Sequence, residues 1–362
     1  MVFRPQIEPV VERGLRDVGP CQARLPLDEL IASARHFHPD GALTRIEISE
    51  GGYGATVIRF ADATGVYLNP CTAGVLGQRR QWGGFFGTIE QWHRLRFVDN
   101  SDITELIGGS VSLLLALVMV VGGVVLWLPP SLRALRSSLK FQWHLTGRAF
   151  ERSLHRTIGT YAALILLMSA VTSLTFTFDW ARNALFFATG SRLPVAKPAV
   201  AATGAAMLPA ETFIGSTLSM LPTAREITLT YPRSGHDAVE IYAIERGAHP
   251  NARSYVYLNP YTAEVLRFEP YATSSRGNKV YRWLGSLHTG KVGGLPVQLL
   301  LFAGILGVPM LAYTGIRSAL RRKSPSAKDG RPPVHLAPGT SVPAESLNTN
   351  SQSSQIDFRP GN

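Results

Sequence analysis

Cysteine is scarce in this chain of 362 residues, which contains two cysteines, Cys21 and Cys71. Two cysteines are too few for a disulfide framework or for a metal site built from thiolates. No Cys-x-x-Cys-His segment occurs, which argues against covalent attachment of a c-type haem.

Signatures of nucleotide binding and of hydrolysis are missing as well. The sequence has no Gly-x-Gly-x-x-Gly after a strand and no phosphate loop, so no nicotinamide, flavin or ATP site is predicted. It also has no Gly-x-Ser-x-Gly and no His-Glu-x-x-His. Acid pairs inside apolar runs, which are typical of proton-coupled transporters, are absent too. If this protein moves electrons, it takes them from quinol or from a partner protein.

Long apolar runs without charge are what the chain has in abundance. They explain a mean hydropathy of +0.08 in a chain with 17% charged residues. A helix needs roughly 20 apolar residues to cross a bilayer, and buried helices of soluble domains seldom stay uncharged for that length. The runs therefore predict three transmembrane helices, at residues 106–129, 157–178 and 292–317.

The net charge of +11 is concentrated beside these runs. Basic residues dominate the loop 130–156 and the segment that follows residue 317. The positive-inside rule places both on the cytoplasmic face, and it places residues 1–105 and 179–291 outside. The charge is thus a topology signal, and nucleic-acid binding is the weaker interpretation.

Residues 1–20 contain no apolar run that could act as a signal peptide or signal anchor. An outer domain of about 100 residues must nevertheless cross the membrane. The economical hypothesis is a further helix upstream of Met1.

A small α+β unit occurs twice. In the first copy a helix beginning near Leu25 is followed by short alternating strands. Val66–Leu76 of this copy matches Val256–Leu266 of the second copy, which makes Cys71 the counterpart of Tyr261 and an ordinary turn position. Each copy is followed by a segment with tryptophan and histidine and then by an apolar run.

These features together resemble the PepSY-associated transmembrane family of bacterial inner-membrane proteins. The resemblance is carried by Leu154-His155-Arg156, by Leu287-His288-Thr289-Gly290 leading into Gly294-Leu295-Pro296, by the duplicated Tyr-Leu-Asn-Pro-x-Thr-Ala turn, and by Leu126-Trp127-Leu128-Pro129. The family typically has four membrane helices and two extracytoplasmic PepSY domains. The first of those helices is the one this chain lacks.

The predicted fold is therefore an α-helical integral membrane protein with three transmembrane helices and two repeated extracytoplasmic α+β PepSY-like domains. It is expected in the bacterial inner membrane, with the PepSY-like domains in the periplasm and the C-terminus in the cytoplasm. Around the three helices lie an N-terminal segment 1–23, a first PepSY-like domain 24–100, a basic cytoplasmic loop 130–156, a linker with the second PepSY-like domain 179–291, and a disordered tail 318–362.

Histidines are the candidate ligands of this chain. His93 and His288 precede apolar runs at equivalent positions of the repeat, and two neutral imidazoles can supply both axial ligands of a haem b. The alternative is that each is an interfacial side chain hydrogen-bonded to headgroups or backbone. His155 lies at the inner mouth of the second run, and its natural partner would be a histidine of the helix that the chain lacks. His144 is a possible substitute that would share a face with His155 on a continuous helix, but a separation of roughly 16 Å along the axis is too long for both to bind one iron. The remaining histidines are interpreted as solvated: His36, His38, His236, His249 and His335.

The resemblance implies a role in iron acquisition, and three functions stay open. The first is a haem-dependent reductase of ferric-siderophore complexes, with quinol or a protein as electron donor. The second is a non-redox membrane-anchored module whose PepSY units bind a peptidase or an envelope partner. The third is an accessory subunit of a transporter. The bilayer is a partner in all three.

Overall fold

The computed structural model describes residues 3–16, 18–19, 23–49, 54–94, 101–118 and 131–322. The chain divides into two compact units, Met1–Ser318 and Ala319–Asn362. From residue 323 onward the predicted disordered tail lies outside the described residues. The helices are α1 Arg4–Val11, α2 Arg13–Arg16, α3 Leu27–Phe37, α4 Gly84–His93, α5 Ser101–Leu117, α6 Leu132–Ser138, α7 Gly147–Thr177, α8 Asp179–Ala188, α9 Ala210–Met220, α10 Arg276–His288 and α11 Gly294–Arg322.

Both copies of the repeat contribute to one antiparallel sheet of eight strands. The spatial order is β4-β3-β2-β1-β5-β6-β7-β8, so two four-stranded meanders meet where β1 pairs with β5. At this junction Arg45 lies opposite Thr230 and Ile48 lies opposite Ile227. The strands are β1 Leu43–Ile48, β2 Thr56–Phe60, β3 Thr64–Leu68, β4 Val75–Arg80, β5 Ala224–Thr230, β6 Val239–Glu245, β7 Arg253–Leu258 and β8 Val265–Glu269.

A single hydrophobic core joins the two meanders. Its helical layer is formed by α3 and α9, which contact each other and place apolar side chains against the sheet. Leu30 of α3 and Phe213 of α9 are both fully buried in it. Ile58 from the first copy and Ile241 from the second belong to the same cluster. The two copies therefore share one interior.

The duplicated turn is reproduced in atomic detail. The backbone N–H of Cys71 donates to Asn69 Oδ1 at 2.8 Å, and the N–H of Tyr261 donates to Asn259 Oδ1 at 2.9 Å. The alanine two residues further on in each copy has a positive φ, 55° in the first and 57° in the second. Cys71 occupies this turn as predicted, but it is also disulfide-bonded, which the comparison with Tyr261 failed to indicate.

The prediction of three transmembrane helices is wrong. Within the described residues, the two helices long and apolar enough to cross a membrane are Gly147–Thr177 and Gly294–Ser318. The apolar part of α5 is Leu106–Leu117, which rises about 18 Å and falls short of a hydrocarbon core of about 30 Å. Residues 119–129 of the predicted first span lie outside the described residues. The large sheet also makes the chain a mixed α and β structure.

The helices α7 and α11 pack antiparallel against each other. Glu151 near the start of α7 forms an ion pair with Arg317 near the end of α11, at 2.9 Å. Between them the backbone of α11 approaches α7 closely at two glycines, where an added Cβ would lie 2.5 Å from Ile165 at Gly304 and 3.0 Å from Ala162 at Gly307. At these two positions the glycines allow close packing of the helices.

Replacing Gly304 by valine is expected to lower stability by about 1–3 kcal/mol, because the branched side chain must displace Ile165 from a packed contact. The measurement is thermal unfolding in detergent. Gly108→Val is the matched control, since nothing lies within 4 Å of a Cβ added there. Equal destabilisation by both variants would show that α7 and α11 are not in close contact.

Candidate functional site

His93 and His288 come together in the structure. Each is the last residue of its helix, His93 of α4 and His288 of α10. Their ring centroids are 6.2 Å apart, and the ring planes are tilted by 38°. The repeat places the two residues at equivalent positions, and the packing of α10 against α7 brings His288 to this point.

The surroundings of the pair favour neutral imidazoles. Burial is the main reason that the pKa of His288 is lowered, and the nearby His93 lowers it further. His93 is exposed to solvent, yet the protein atoms around its ring lower its pKa through desolvation, with the charge of Arg94 as the next cause. The ring of Phe176 lies 6.0 Å from that of His288 and adds an apolar wall. Neutral imidazole is the form that binds a metal.

Two of the predicted ligands, His288 and His155, each lie within hydrogen-bonding distance of a threonine hydroxyl. His288 Nδ1 lies 2.9 Å from Thr172 Oγ1, near the end of α7. His155 Nδ1 lies 2.8 Å from Thr314 Oγ1, near the end of α11. Both threonines are buried, and neither belongs to a motif that would have indicated a site residue in the sequence.

The remaining predicted ligands do not join the pair. His155 and Thr172 lie on one helix and are separated by roughly 25 Å along its axis, so His155 is far from His288. His144 lies in a turn before α7, which begins at Gly147, so the shared helix face on which its pairing with His155 depended does not exist. Across the described residues no group of three or more His, Cys, Asp or Glu side chains is placed to hold a metal ion.

His249 makes polar contacts that the sequence did not predict. It was predicted to be solvated, but it is half-buried in the loop between β6 and β7. Its Nε2 lies 2.6 Å from the hydroxyl of Tyr271, and its Nδ1 lies 3.2 Å from Ser286 Oγ. Ser286 is fully buried two residues before His288. The partners are 22 and 37 residues away in sequence, so no local pattern could have indicated the contact.

This contact is expected to weaken in acid. Burial is the main cause that lowers the pKa of His249 below its ordinary 6.5, followed by the charge of Arg282. Because the folded protein favours the neutral ring, the unfolded chain binds more protons, so the stabilising contribution is present above about pH 6.5 and is lost as the pH falls. Hydrogen exchange of α10 amides between pH 7 and 5 measures the loss, which is at most about tenfold per pH unit.

The matched variant is His249→Gln, which keeps a hydrogen-bonding side chain but does not titrate in this range. Its α10 amides should show a flatter dependence on pH, after correction for intrinsic exchange. An unchanged dependence would assign the acid sensitivity to another group.

Two comparisons with known proteins bear on this site. A search of curated proteins gave no match. The family model of the PepSY-associated TM region matches residues 1–322, a range that contains the sheet, both apolar helices and all five histidines discussed above.

Proposed function

The chain belongs to the family of the PepSY-associated TM region, and from that premise we propose that it is a haem b protein that reduces ferric-siderophore complexes. Membership makes it a membrane protein with PepSY units, and the helices α7 and α11 have the length and composition to span a bilayer. His93 and His288 are the residues that would hold the haem iron.

The distance between the two rings carries this proposal. Two imidazoles that bind one metal ion from opposite sides, each through a nitrogen at about 2.0–2.1 Å, have centroids roughly 6 Å apart. The centroids of His93 and His288 are 6.2 Å apart. A pair of imidazoles suits a haem, because the macrocycle brings the other four donor atoms with it. The histidine pair therefore fits the group.

The residues around the pair have separate tasks. A bound haem would supply a carrier of single electrons. His93 and His288 would hold its iron from two different elements, and the apolar ring of Phe176 would keep water from His288. The contact of His249 with Tyr271 and Ser286 ties α10 to the sheet and so fixes the position of His288.

The cellular location follows the same proposal. Disulfides persist in oxidising compartments, so the disulfide at Cys71 supports a periplasmic position for the sheet. The basic loop and the basic end of α11 then lie on the cytoplasmic side of the inner membrane. In this arrangement each bound Fe(III) would take one electron and leave the siderophore as Fe(II). A quinol oxidised to quinone, with release of two protons, would supply two such electrons, and a one-electron donor protein would supply one.

The experiment is an absorption spectrum of the protein purified from haem-supplied cells, oxidised and after reduction with dithionite. The expected result is a Soret band with a sharp α band in the reduced state. The reduced protein, freed of dithionite, should then transfer one electron per ferric siderophore, as measured with a ferrous chelator. A colourless protein would reject the proposal and favour a non-redox PepSY binding module.

A further inference from the structure

We infer that Thr172 and Thr314 are positioning residues, each of which fixes the tautomer of one histidine so that the Nε2 atom carries no proton. Thr172 acts on His288, and Thr314 acts on His155. The tautomer follows from hydrogen bonding alone, whereas its use in holding a haem at His288 rests on the proposed function.

The argument begins with the single proton of a threonine hydroxyl. Thr172 Oγ1 lies 2.8 Å from the carbonyl oxygen of Met168 and 3.0 Å from that of Ser169. A carbonyl oxygen can only accept, so the hydroxyl proton is directed to the backbone of α7. Thr172 is 3% exposed, and water therefore offers its hydroxyl little alternative.

The third neighbour of the same oxygen is His288 Nδ1, at 2.9 Å. Since the hydroxyl proton is already donated, this contact is a hydrogen bond only if Nδ1–H donates to Oγ1. A neutral imidazole carries one proton, so Nε2 then holds a free lone pair. That atom is the one left available for a metal, and partners of this kind orient metal ligands in other proteins.

The same arrangement occurs at the opposite end of the helix pair. Thr314 Oγ1 lies 2.8 Å from the carbonyl oxygen of Met310 and 3.2 Å from that of Leu311, and His155 Nδ1 is 2.8 Å away. Thr314 is also 3% exposed. Threonines in helices commonly bond to a carbonyl four residues earlier, and Thr177 does so without a histidine. What distinguishes these two positions is the buried hydroxyl that also faces an Nδ1 atom.

The first test is nitrogen NMR of the full chain in detergent without haem, at pH 8, with the histidines labelled. Their resonances are assigned from His288→Gln and His155→Gln variants. The expected result is Nδ1–H at both histidines in the unsubstituted protein. Thr172→Val should shift the tautomer of His288 alone, and Thr314→Val that of His155 alone. Thr172→Ser keeps the hydroxyl and should restore the original state, and Thr177→Val should change neither histidine.

The second test is haem affinity, where loss of a ligand's hydrogen-bonding partner typically costs about 10–100-fold. Thr172→Val should fall in that range, and Thr172→Ser should stay near the unsubstituted protein. Nε2–H at His288, or no response to Thr172→Val in the NMR experiment, would overturn the inference. A protein that binds no haem would reject the proposed function, while the NMR experiment would still decide the tautomer.

Discussion

Replacing His288 by alanine is expected to abolish the α band of the reduced protein and to remove most of the bound haem. The reason is that, under the proposed function, His288 would hold the haem iron together with His93, and its ring is placed by the contacts with Thr172 and Phe176. Loss of the ligand itself should exceed the 10–100-fold cost, about one to two orders of magnitude, that is typical of losing a ligand's partner.

Variants of both histidines test the proposed ligand pair together. His93→Ala should have the same effect, and the double variant should be no worse than either single variant, because the two residues act as a unit. His36→Ala is the matched control, since His36 is exposed on α3. Haem content and the reduced spectrum are the measurements. Full retention of the α band in His288→Ala would exclude His288 as a ligand.

Replacing Phe213 by alanine is expected to destabilise the sheet by about 3–5 kcal/mol and to do so in both copies of the repeat. Phe213 is fully buried in the core that contains Ile58 of β2 and Ile241 of β6. Because one interior serves both meanders, the lost contacts should lower the cost of opening either one. Hydrogen exchange of β2 and β6 amides should accelerate together, by roughly 150- to 5,000-fold, since each 1.36 kcal/mol is a factor of ten.

Phe187→Ala is the matched control for this prediction. Phe187 lies on α8 with an exposed fraction of 86%, so its removal should change stability by no more than about 0.5 kcal/mol. Faster exchange of β6 with unchanged β2 would mean that the two copies open independently, despite their common sheet.

The repeated unit itself was predictable from the sequence. The helix expected to begin near Leu25 is observed at Leu27–Phe37, and the short alternating strands expected after it are observed as β1 to β4. Local alternation of apolar residues and the duplicated Asn-Pro turn carry that information. The helix begins two residues later than expected, because the apolar pattern indicates the buried face of a helix more closely than its ends.

The joining of the copies was not predictable in this way. The strands β1 and β5 are separated by about 180 residues, and no feature of either sequence marks the other as its partner. The disulfide at Cys71 was not predicted for a related reason. The alignment of the two copies matched Cys71 with Tyr261 and so indicated only a turn position. Counting apolar residues also overstated α5, whose described apolar part is too short to span a bilayer.

The site was predictable only in part. The repeat paired His93 with His288, and the structure brings the two rings together. The threonines and His249 act through contacts between distant segments, such as the one between Thr172 and His288. Threonine within an apolar helix has no distinctive signature, because its hydroxyl commonly bonds to its own helix.

The pairing of β1 with β5 has a consequence for how this chain avoids association with other chains. A strand at the border of a sheet presents unpaired N–H and C=O groups, which can template the addition of a foreign strand. In this sheet β1 and β5 cover each other, and the borders fall on β4 and β8. The strand β4 contains Arg79 and Arg80, and β8 contains Arg267. Charged side chains on edge strands disfavour pairing with a strand of another chain. Either repeat alone would expose the edge of β1 or β5, and the duplication therefore also protects these strands from pairing with other chains.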